Sequence, residues 1–291
     1  MEKLVINGGK ALQGEVTISG AKNAALAIVA ATILCDEPCV LENVPEISDI
    51  TICMKILQEM GADIKLLNKN VVRFDTRGIN GPKVPYEMAR SMRGSTYFLG
   101  TLLGRFHEAY VAMPGGCYLG DRPIDQHLKA FRTLGAEDEI VNGEVHCTAD
   151  SLIGGQIYFD FNTVGGTINA ILASVKAKGR TIIENAAKEP HIVDLANFLN
   201  SMGADIIGAG TDVIKIRGVD YLKGITYPII PDQIEAGTYM VAAAATKGNV
   251  LIKNVIPKHL ESITAKLRKI GATVIENDES VQVCVDGPLT K

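Results

Sequence analysis

The sequence predicts an α/β protein built from repeated strand-helix-strand-helix-strand-strand units, written βαβαββ below. Two observations support this prediction: a Gly-Ala pair follows an amphipathic helix four times, and similar elements flank each pair. The spacings between the four glycines are 74, 68 and 68 residues, and the glycines are Gly61, Gly135, Gly203 and Gly271. Each occupies the position where glycine ends a helix in a left-handed conformation.

The third copy has the clearest sequence signals for each element. Thr163 is expected to cap a helix that runs to Lys178, and residues 181–184 form a short strand. Pro190 then begins an amphipathic helix, and two strands joined by a tight turn follow Gly203. Residues 20–74, 92–148 and 234–285 repeat this order. Each copy is also expected to open with a short strand, such as QGEVTIS or GGQIYFDF.

The composition favours a folded protein of about two domains, with 291 residues, 47% hydrophobic and 21% charged residues. A net charge of -4 and the absence of Trp argue against a general binder of nucleic acid or anionic membranes. The longest apolar run, residues 24–35, is shorter than a membrane span, and the N-terminus has no signal core. We therefore expect a cytoplasmic protein.

The usual motifs for metals and cofactors are missing from the sequence. It contains six cysteines but no C-x-x-C pair, no HExxH and no phosphate-binding GxxxxGK[ST] loop. Cys35 and Cys39 lack a second ligand pair at a useful spacing, so they are expected to be packed or surface thiols. No metal and no cofactor is expected.

Two segments place cations at the start of an apolar helix, where the helix dipole favours anions. In SGAKNAALAI the cation is Lys22, which Asn23 follows, and in ARSMRGSTYFLG the cations are Arg90 and Arg93. The functional interpretation is that the helix starts bind a phosphate or carboxylate. For the first segment the alternative is an exposed Lys22 beside a capping Asn23 or Ser19. For the second it is a solvated surface, which we prefer for Arg90.

A third segment, MPGGCYLGDRPIDQH, carries Cys117 within a glycine-rich loop. Arg122 follows, and Pro123 is expected to open the next helix. A thiol in such a loop beside a cation becomes a useful acid or nucleophile when it is exposed. The alternative is a linker that happens to carry a cysteine.

Together the segments SGAKNAALAI, SMRGS, PGGCYLGDRPIDQHL, IIENAAKEPHIVDLANFL and PDQIEAGT resemble the enolpyruvyl transferase family, over essentially the whole chain. The resemblance implies an α/β (α+β) fold in which βαβαββ units form inside-out α/β barrels, with three units in each of two globes. It implies one complete globe in residues 22–230. Residues 1–21 with 231–291 would form an incomplete second globe that has one unit of three.

The resemblance also implies transfer of the enolpyruvyl group from phosphoenolpyruvate to the 3-hydroxyl of UDP-N-acetylglucosamine, in peptidoglycan synthesis. Lys22 and Asn23 match the phosphoenolpyruvate contacts. Cys117 matches the general acid, which the antibiotic fosfomycin alkylates. The remaining matches are to the contacts of the UDP-sugar: Arg93, Arg122, Pro123, Ile124, Asp125, Gln126, Val164 and Gly165.

Some family features have no counterpart in these 291 residues. The family's catalytic aspartate and a second phosphoenolpyruvate-binding arginine lie in the two units that are missing here, so little turnover is expected from these residues alone. Two alternatives stay open: a non-catalytic remnant that binds a UDP-sugar or a partner chain, and a sister transferase with a shikimate-type acceptor. The Cys117 loop argues against the last. The incomplete globe is also a candidate surface for self-association.

Overall fold

The computed structural model describes residues 3–113 and 123–290. The contacts within the chain divide it into two units. We call Lys22–Ile230 the three-sheet unit, and Met1–Ala21 with Pro231–Lys291 the split unit, because the latter is assembled from two distant parts of the chain.

Helices and strands alternate along the described residues. The strands are β1 (Gln13–Thr17), β2 (Cys39–Glu42), β3 (Asp63–Asn68), β4 (Val71–Asp75), β5 (Glu108–Ala112), β6 (Glu137–Val141), β7 (Glu144–Thr148), β8 (Gln156–Tyr158), β9 (Arg180–Glu184), β10 (Asp205–Ile207), β11 (Val213–Arg217), β12 (Thr226–Pro228), β13 (Asn249–Lys253), β14 (Thr273–Glu276) and β15 (Ser280–Cys284). The α-helices are α1 (Lys22–Ala31), α2 (Ser48–Glu59), α3 (Tyr86–Ser91), α4 (Tyr97–Phe106), α5 (Asp125–Thr133), α6 (Val164–Ser174), α7 (Pro190–Ser201), α8 (Gln233–Ala245) and α9 (Glu261–Lys269). Within these ranges no helix is long and apolar enough to cross a membrane.

The three-sheet unit holds three copies of the predicted repeat, each with its own sheet. The strand orders are β12-β2-β4-β3, β5-β7-β6 and β10-β11-β9-β8. In each copy the last two strands form an antiparallel hairpin, and the fourth sheet, β1-β13-β15-β14, repeats this pattern in the split unit. The order of the helices, the strand between them and the final hairpin is therefore as the sequence predicted.

The opening strands of the copies differ from the expectation. The segment QGEVTIS does not open the first copy, because β1 pairs in parallel with β13 of the fourth copy. In the first sheet that place is taken by β12, which pairs in parallel with β2. In the second copy the opening strand is reduced to an isolated parallel bridge between Lys83 and Tyr110. Parallel pairing joins distant segments, so no local signal in the sequence could assign these partners.

The helices that follow the opening strands form the centre of the three-sheet unit. We call α1, α4 and α6 the inner helices. In α1 every residue from Ala24 to Ala31 is buried, and α4 and α6 are buried over 98–104 and 166–174. A helix that is apolar on all sides must be enclosed by other elements, which here are the other inner helices, the helices α2, α5 and α7, and the strands beside α4 and α6.

The inner helices α4 and α6 run parallel at close approach. The Gly100 amide donates to Asn169 Oδ1 at 2.8 Å, and a Cβ added at Gly100 would lie 2.7 Å from the Asn169 carbonyl oxygen. One turn further along both helices, a Cβ at Gly104 would lie 3.0 Å from the Leu172 carbonyl oxygen. The contact moves from Gly100 and Asn169 to Gly104 and Leu172, towards the C-terminus of both helices, so both helices begin at the same end.

The same register argument applies to α1 and α4. A Cβ at Gly94, just before α4, would lie 3.2 Å from Leu26 in α1. After the other end of α1, Arg105 Nη1 donates to the Ile33 carbonyl at 2.9 Å. All three inner helices therefore begin at one end of the unit.

The glycines of the four Gly-Ala pairs end their helices as predicted. Their φ angles are 110°, 93°, 110° and 101° for Gly61, Gly135, Gly203 and Gly271. This left-handed conformation costs a residue with a Cβ about 1–2 kcal/mol. The third copy agrees in detail, since Thr163 Oγ1 accepts from the Gly166 amide at 3.2 Å and α7 begins at Pro190. The helix capped by Thr163 is shorter than expected, and it ends at Ser174.

A buried carboxyl fixes the segment that carries β12. Asp194, in α7, is 2% exposed, and its Oδ1 accepts from the Tyr227 hydroxyl at 2.6 Å. Its Oδ2 accepts from the Ile230 amide at 3.3 Å. Burial raises the pKa of Asp194 to about 6, although both hydrogen bonds favour the charged form.

The split unit has a core of its own between its sheet and the helices α8 and α9. This core is formed by buried side chains of α8, the sheet and the loop before α9, including Met240, Ile252, Leu260 and Val281. Asp232 caps α8 by accepting from the Ile234 and Glu235 amides at 2.7 and 3.0 Å. The side of α8 away from this core is apolar and exposed at Ile234 and Val241.

Candidate functional site

Lys22 and Asn23 occupy the first two positions of α1, as the sequence predicted. The Lys22 side chain is 51% exposed, and its Nζ lies 3.5 Å from Asp49 Oδ2 in the first turn of α2. Ser19 bonds elsewhere, because its hydroxyl donates to Glu235 Oε2 at 2.6 Å. An ammonium group is thus held beside a helix start, where backbone amides already favour an anion.

Arg93 lies in the 3₁₀ turn Arg93–Thr96 that leads directly into α4. The residue is half-buried. Its positive charge acts on two neighbours. Burial raises the pKa of Tyr97 to about 12, and the charge of Arg93 works against this rise. Burial lowers the pKa of His127, and the charge of Arg93 lowers it further. The charge of Arg93 therefore acts on the first turn of α5 as well as on that of α4.

The segment Pro123–Gln126 forms the entry to α5. The helix begins at Asp125 with Ile124 at the cap position, two residues later than Pro123, which was expected to open it. Pro123 and Asp125 are exposed, whereas Ile124 and Gln126 are buried. A proline followed by a buried cap residue fixes the direction in which the chain enters the helix.

Gln126 ties this entry to the segment before α6. Its Nε2 donates to Asp125 Oδ2 at 2.8 Å and to Asp160 Oδ2 at 3.0 Å, and its Oε1 accepts from the Asp160 amide at 3.1 Å. Lys129 Nζ also bonds Asp160, at 2.7 Å. The hydrogen-bonding groups of the Gln126 side chain are engaged within the chain, so it positions the entry to α5.

Val164 and Gly165 are the first residues of α6. A Cβ at Gly165 would lie 2.6 Å from His127 Nε2, so the imidazole of α5 packs directly against the helix start. His127 is 4% exposed, and its Nδ1 has no hydrogen-bond partner among the described residues. Burial, with the charge of Arg93, lowers the pKa of His127 to about 4, so the ring is neutral at pH 7.

The structure brings the described members of the predicted site to one end of the three-sheet unit. Lys22, Arg93 and Gly165 mark the starts of the three inner helices, which begin at the same end, and α5 joins them through His127. The three helix starts contribute positive partial charge at this end, to which Lys22 and Arg93 add an ammonium and a guanidinium group. Such a surface is suited to phosphate and carboxylate groups.

Two predicted residues, Cys117 and Arg122, lie outside the described residues. Sequence reasoning also missed three residues that shape the site: Asp49, His127 and Asp160. Asp49 has the ordinary pattern of an acid in the first turn of a helix, and the roles of the other two depend on contacts between separate elements. In the described ranges, no group of three His, Cys, Asp or Glu side chains could hold a metal ion.

Comparison with known proteins relates this arrangement to one family. The family model for EPSP synthase (3-phosphoshikimate 1-carboxyvinyltransferase) matches residues 6–290. UDP-N-acetylglucosamine 1-carboxyvinyltransferase 3 of Caldanaerobacter subterraneus is 55% identical over 100% of this chain and 70% of its own length. The UDP-N-acetylglucosamine 1-carboxyvinyltransferase of Clostridium botulinum is 56% identical over 97% of this chain and 68% of its own length.

Solved structures give the same fold at lower identity. The enolpyruvyl transferase NikO from Streptomyces tendae superposes with a TM-score of 0.84 at 23% identity, over 98% of this chain and 68% of that one. EPSP synthase from Acinetobacter baumannii gives 0.73 at 22% identity, over 97% and 66%. The predicted α/β class, an inside-out α/β barrel of repeated units, is confirmed. This chain belongs to the EPSP synthase family of enolpyruvyl transferases.

Proposed function

We propose that the protein transfers the enolpyruvyl group of phosphoenolpyruvate to the 3-hydroxyl of UDP-N-acetylglucosamine and releases phosphate. This reaction is the first committed step of peptidoglycan synthesis, and we expect it to take place in the cytoplasm. The names of relatives at 55 and 56% identity support the assignment. So does the convergence of Lys22, Arg93 and Gly165 at the starts of three parallel helices.

Lys22 and Asn23 bind phosphoenolpyruvate in this proposal. The substrate carries a phosphate and a carboxylate, and Lys22 offers a half-exposed ammonium group beside the amides of α1. Asp49 Oδ2 lies 3.5 Å from that ammonium group. The pair is half-exposed, so a substrate anion can compete for Lys22 at little cost.

Arg93, Arg122 and the segment Pro123–Gln126 bind the UDP-sugar, together with Val164 and Gly165. A guanidinium group suits a diphosphate, since its planar donors match two oxygens at once. Gly165 exposes backbone at the start of α6, where a side chain would collide with His127. The neutral imidazole of His127 then keeps the entry to α5 at a fixed distance from α6.

The chemistry is an addition followed by an elimination. The sugar 3-hydroxyl oxygen attacks the central carbon of phosphoenolpyruvate and gives up its proton to a general base, while Cys117 protonates the methylene carbon. The carbon–oxygen bond to phosphate then breaks and phosphate leaves, while the Cys117 thiolate takes a proton back from the new methyl group and the double bond is restored. General acid catalysis and fixed positive charge around the departing phosphate lower the barrier to both steps.

The observation that carries this proposal is the gathering of Lys22, Arg93 and Gly165 at one end of the inner helices. The test measures binding of UDP-N-acetylglucosamine by calorimetry and release of phosphate from phosphoenolpyruvate. We expect binding that weakens in Arg93→Gln, and a low rate of phosphate release that requires both substrates. Absence of binding, or release with shikimate-3-phosphate as acceptor in place of the UDP-sugar, contradicts the proposal.

Alkylation tests the role of Cys117 separately. Fosfomycin should label the wild-type chain at this residue alone, and Cys117→Ser should lose the label. Cys53 and Cys147 are buried and serve as internal controls. Equal labelling of another cysteine would remove the basis for treating Cys117 as the acid.

A further inference from the structure

Two cysteines outside the candidate site lie in contact under a surface loop. The segment Cys35-Asp36-Glu37-Pro38-Cys39 joins the 3₁₀ turn after α1 to the first residue of β2. Cys35 Sγ and Cys39 Sγ are 3.3 Å apart. The sequence predicted ordinary packed or surface thiols. A separation of four positions does not show whether the loop between two cysteines brings them into contact.

The two thiols are enclosed but close to the solvent. Cys35 and Cys39 are 3% and 1% exposed, whereas Asp36 and Glu37 between them are exposed. The Cys35 thiol donates to the carbonyl oxygen of Leu222 at 3.4 Å. The thiols therefore lie directly beneath one short loop, in which Asp36 bonds Lys176 and Glu37 bonds Tyr221. A small solute reaches the thiols when this loop opens locally.

The contact is asymmetric, because the Cys39 thiol donates to the Cys35 sulfur. This hydrogen bond, with help from the Glu37 amide, lowers the pKa of Cys35 against the effect of burial. The same contact and burial raise the pKa of Cys39. By contrast, burial raises the pKa values of Cys53 and Cys147 to about 12. Among the cysteines in the described ranges, Cys35 is the one whose pKa is lowered, which increases its thiolate fraction.

We propose that Cys35 and Cys39 form a peroxide-sensitive dithiol that closes reversibly to a disulfide. The Cys35 thiolate attacks one oxygen of hydrogen peroxide, the O–O bond breaks, and the departing hydroxide takes up a proton as water. Cys39 sulfur then attacks the resulting sulfenic acid, the S–O bond breaks, and the hydroxyl group leaves with the Cys39 proton as a second water. Two thiols and one peroxide give one disulfide and two waters, and an added dithiol reverses the change.

The positions of the aspartates allow each thiol to be followed separately. A protease that cuts before aspartate cleaves at Asp36, Asp49 and Asp63, which places Cys35, Cys39 and Cys53 in three different peptides. The folded chain is treated with hydrogen peroxide at pH 7, its remaining thiols are alkylated, and the peptides are analysed by mass spectrometry. We expect peptides 1–35 and 36–48 to stay joined until they are reduced.

Rates and single variants separate the proposal from general oxidation. The joined peptides should form at least on the order of ten times faster than Cys53 or Cys147 is lost, since each unit of pKa changes the thiolate fraction about tenfold. In Cys39→Ser a sulfenic acid should accumulate on Cys35 and react with dimedone, whereas in Cys35→Ser residue Cys39 should stay a thiol. Circular dichroism confirms that both variants are folded.

Two results would overturn the proposal. One is that, after a peroxide treatment that already oxidises Cys53, both Cys35 and Cys39 can still be fully alkylated once the chain is unfolded. The other is that dimedone labels the two single variants equally, because the asymmetry of the contact would then have no chemical effect.

Discussion

Replacing Gly100 by alanine tests whether the inner helices depend on close backbone approach. The added Cβ would lie 2.7 Å from the carbonyl oxygen of Asn169, 2.8 Å from its Oδ1 and 3.1 Å from Leu172 Cβ. Two of these neighbours are a backbone atom and the first side-chain atom of a buried leucine, which cannot rotate away. The α4 and α6 helices must therefore separate locally, and the bond from the Gly100 amide to Asn169 lengthens.

The expected cost combines three effects. Overpacking a buried contact costs about 1–3 kcal/mol, and loss of the hydrogen bond adds about 0.5–1.5 kcal/mol. Alanine offsets about 1 kcal/mol, because it forms helix more readily than glycine. We expect the free energy of unfolding to fall by about 1–3 kcal/mol, which lowers the melting temperature by about 2–4 °C for each kcal/mol.

Urea unfolding followed by circular dichroism measures this loss, and Gly94→Ala is the matched control. At Gly94 the added Cβ would meet the Met92 Cε at 2.9 Å and methyl groups of Leu26, which are ends of flexible side chains. That variant should lose less than about 1 kcal/mol. Equal losses in Gly94→Ala and Gly100→Ala, or no loss in Gly100→Ala, would refute the close-packing argument.

Three further predictions concern charge. The folded pKa of Asp194 is about 6, above its usual value of 3.8, so the free energy of unfolding should fall by about 2–3 kcal/mol as pH rises from about 4 to 6. Asp194→Asn should remove this pH dependence. The pKa of His127, about 4, lies below its usual 6.5, so stability falls as pH drops from about 6.5 to 4; His127→Gln should remove that loss. Lys22→Gln should raise the KM for phosphoenolpyruvate by about tenfold or more, because a charge-assisted contact contributes about 1.5–3 kcal/mol, whereas Lys55→Gln, at an exposed position of α2, should not.

The measurements are urea titrations at each pH for the first two variants and steady-state kinetics for the third. Because the effects of Asp194 and His127 have opposite signs over the same pH range, the two variants should deviate from the wild type in opposite directions. Deviations of the same sign would contradict the assigned environments. For Lys22, a similar rise of KM in the Lys55 variant would point to a general effect of charge.

The repeat could be predicted from sequence because its signals are local. Gly61 and Gly203 end helices through their own backbone conformation, and Thr163 caps α6 through an amide three residues away. The partner of β1 could not be predicted in this way. Its register pairs Gln13 with Asn249, and parallel pairing at that separation leaves no pattern in either segment.

The candidate site likewise contains residues with a local signal in the sequence and residues whose role depends on contacts between elements. Lys22 and Arg93 stand out because a cation at the start of an apolar helix is unfavourable without an anion. His127 does not stand out, because its importance comes from Gly165, in another helix. The contact between Cys35 and Cys39 likewise depends on how a five-residue loop folds back beneath the segment around Leu222.

The pairing of β1 with β13 also sets an order for folding during synthesis. The three-sheet unit can fold as soon as residues up to Ile230 have left the ribosome, whereas β1 must wait for Asn249–Lys253. An unpaired strand that waits this long is a target for aggregation. β1 has the sequence QGEVT, short and polar with a single apolar residue, which keeps it soluble while its partner is still being made.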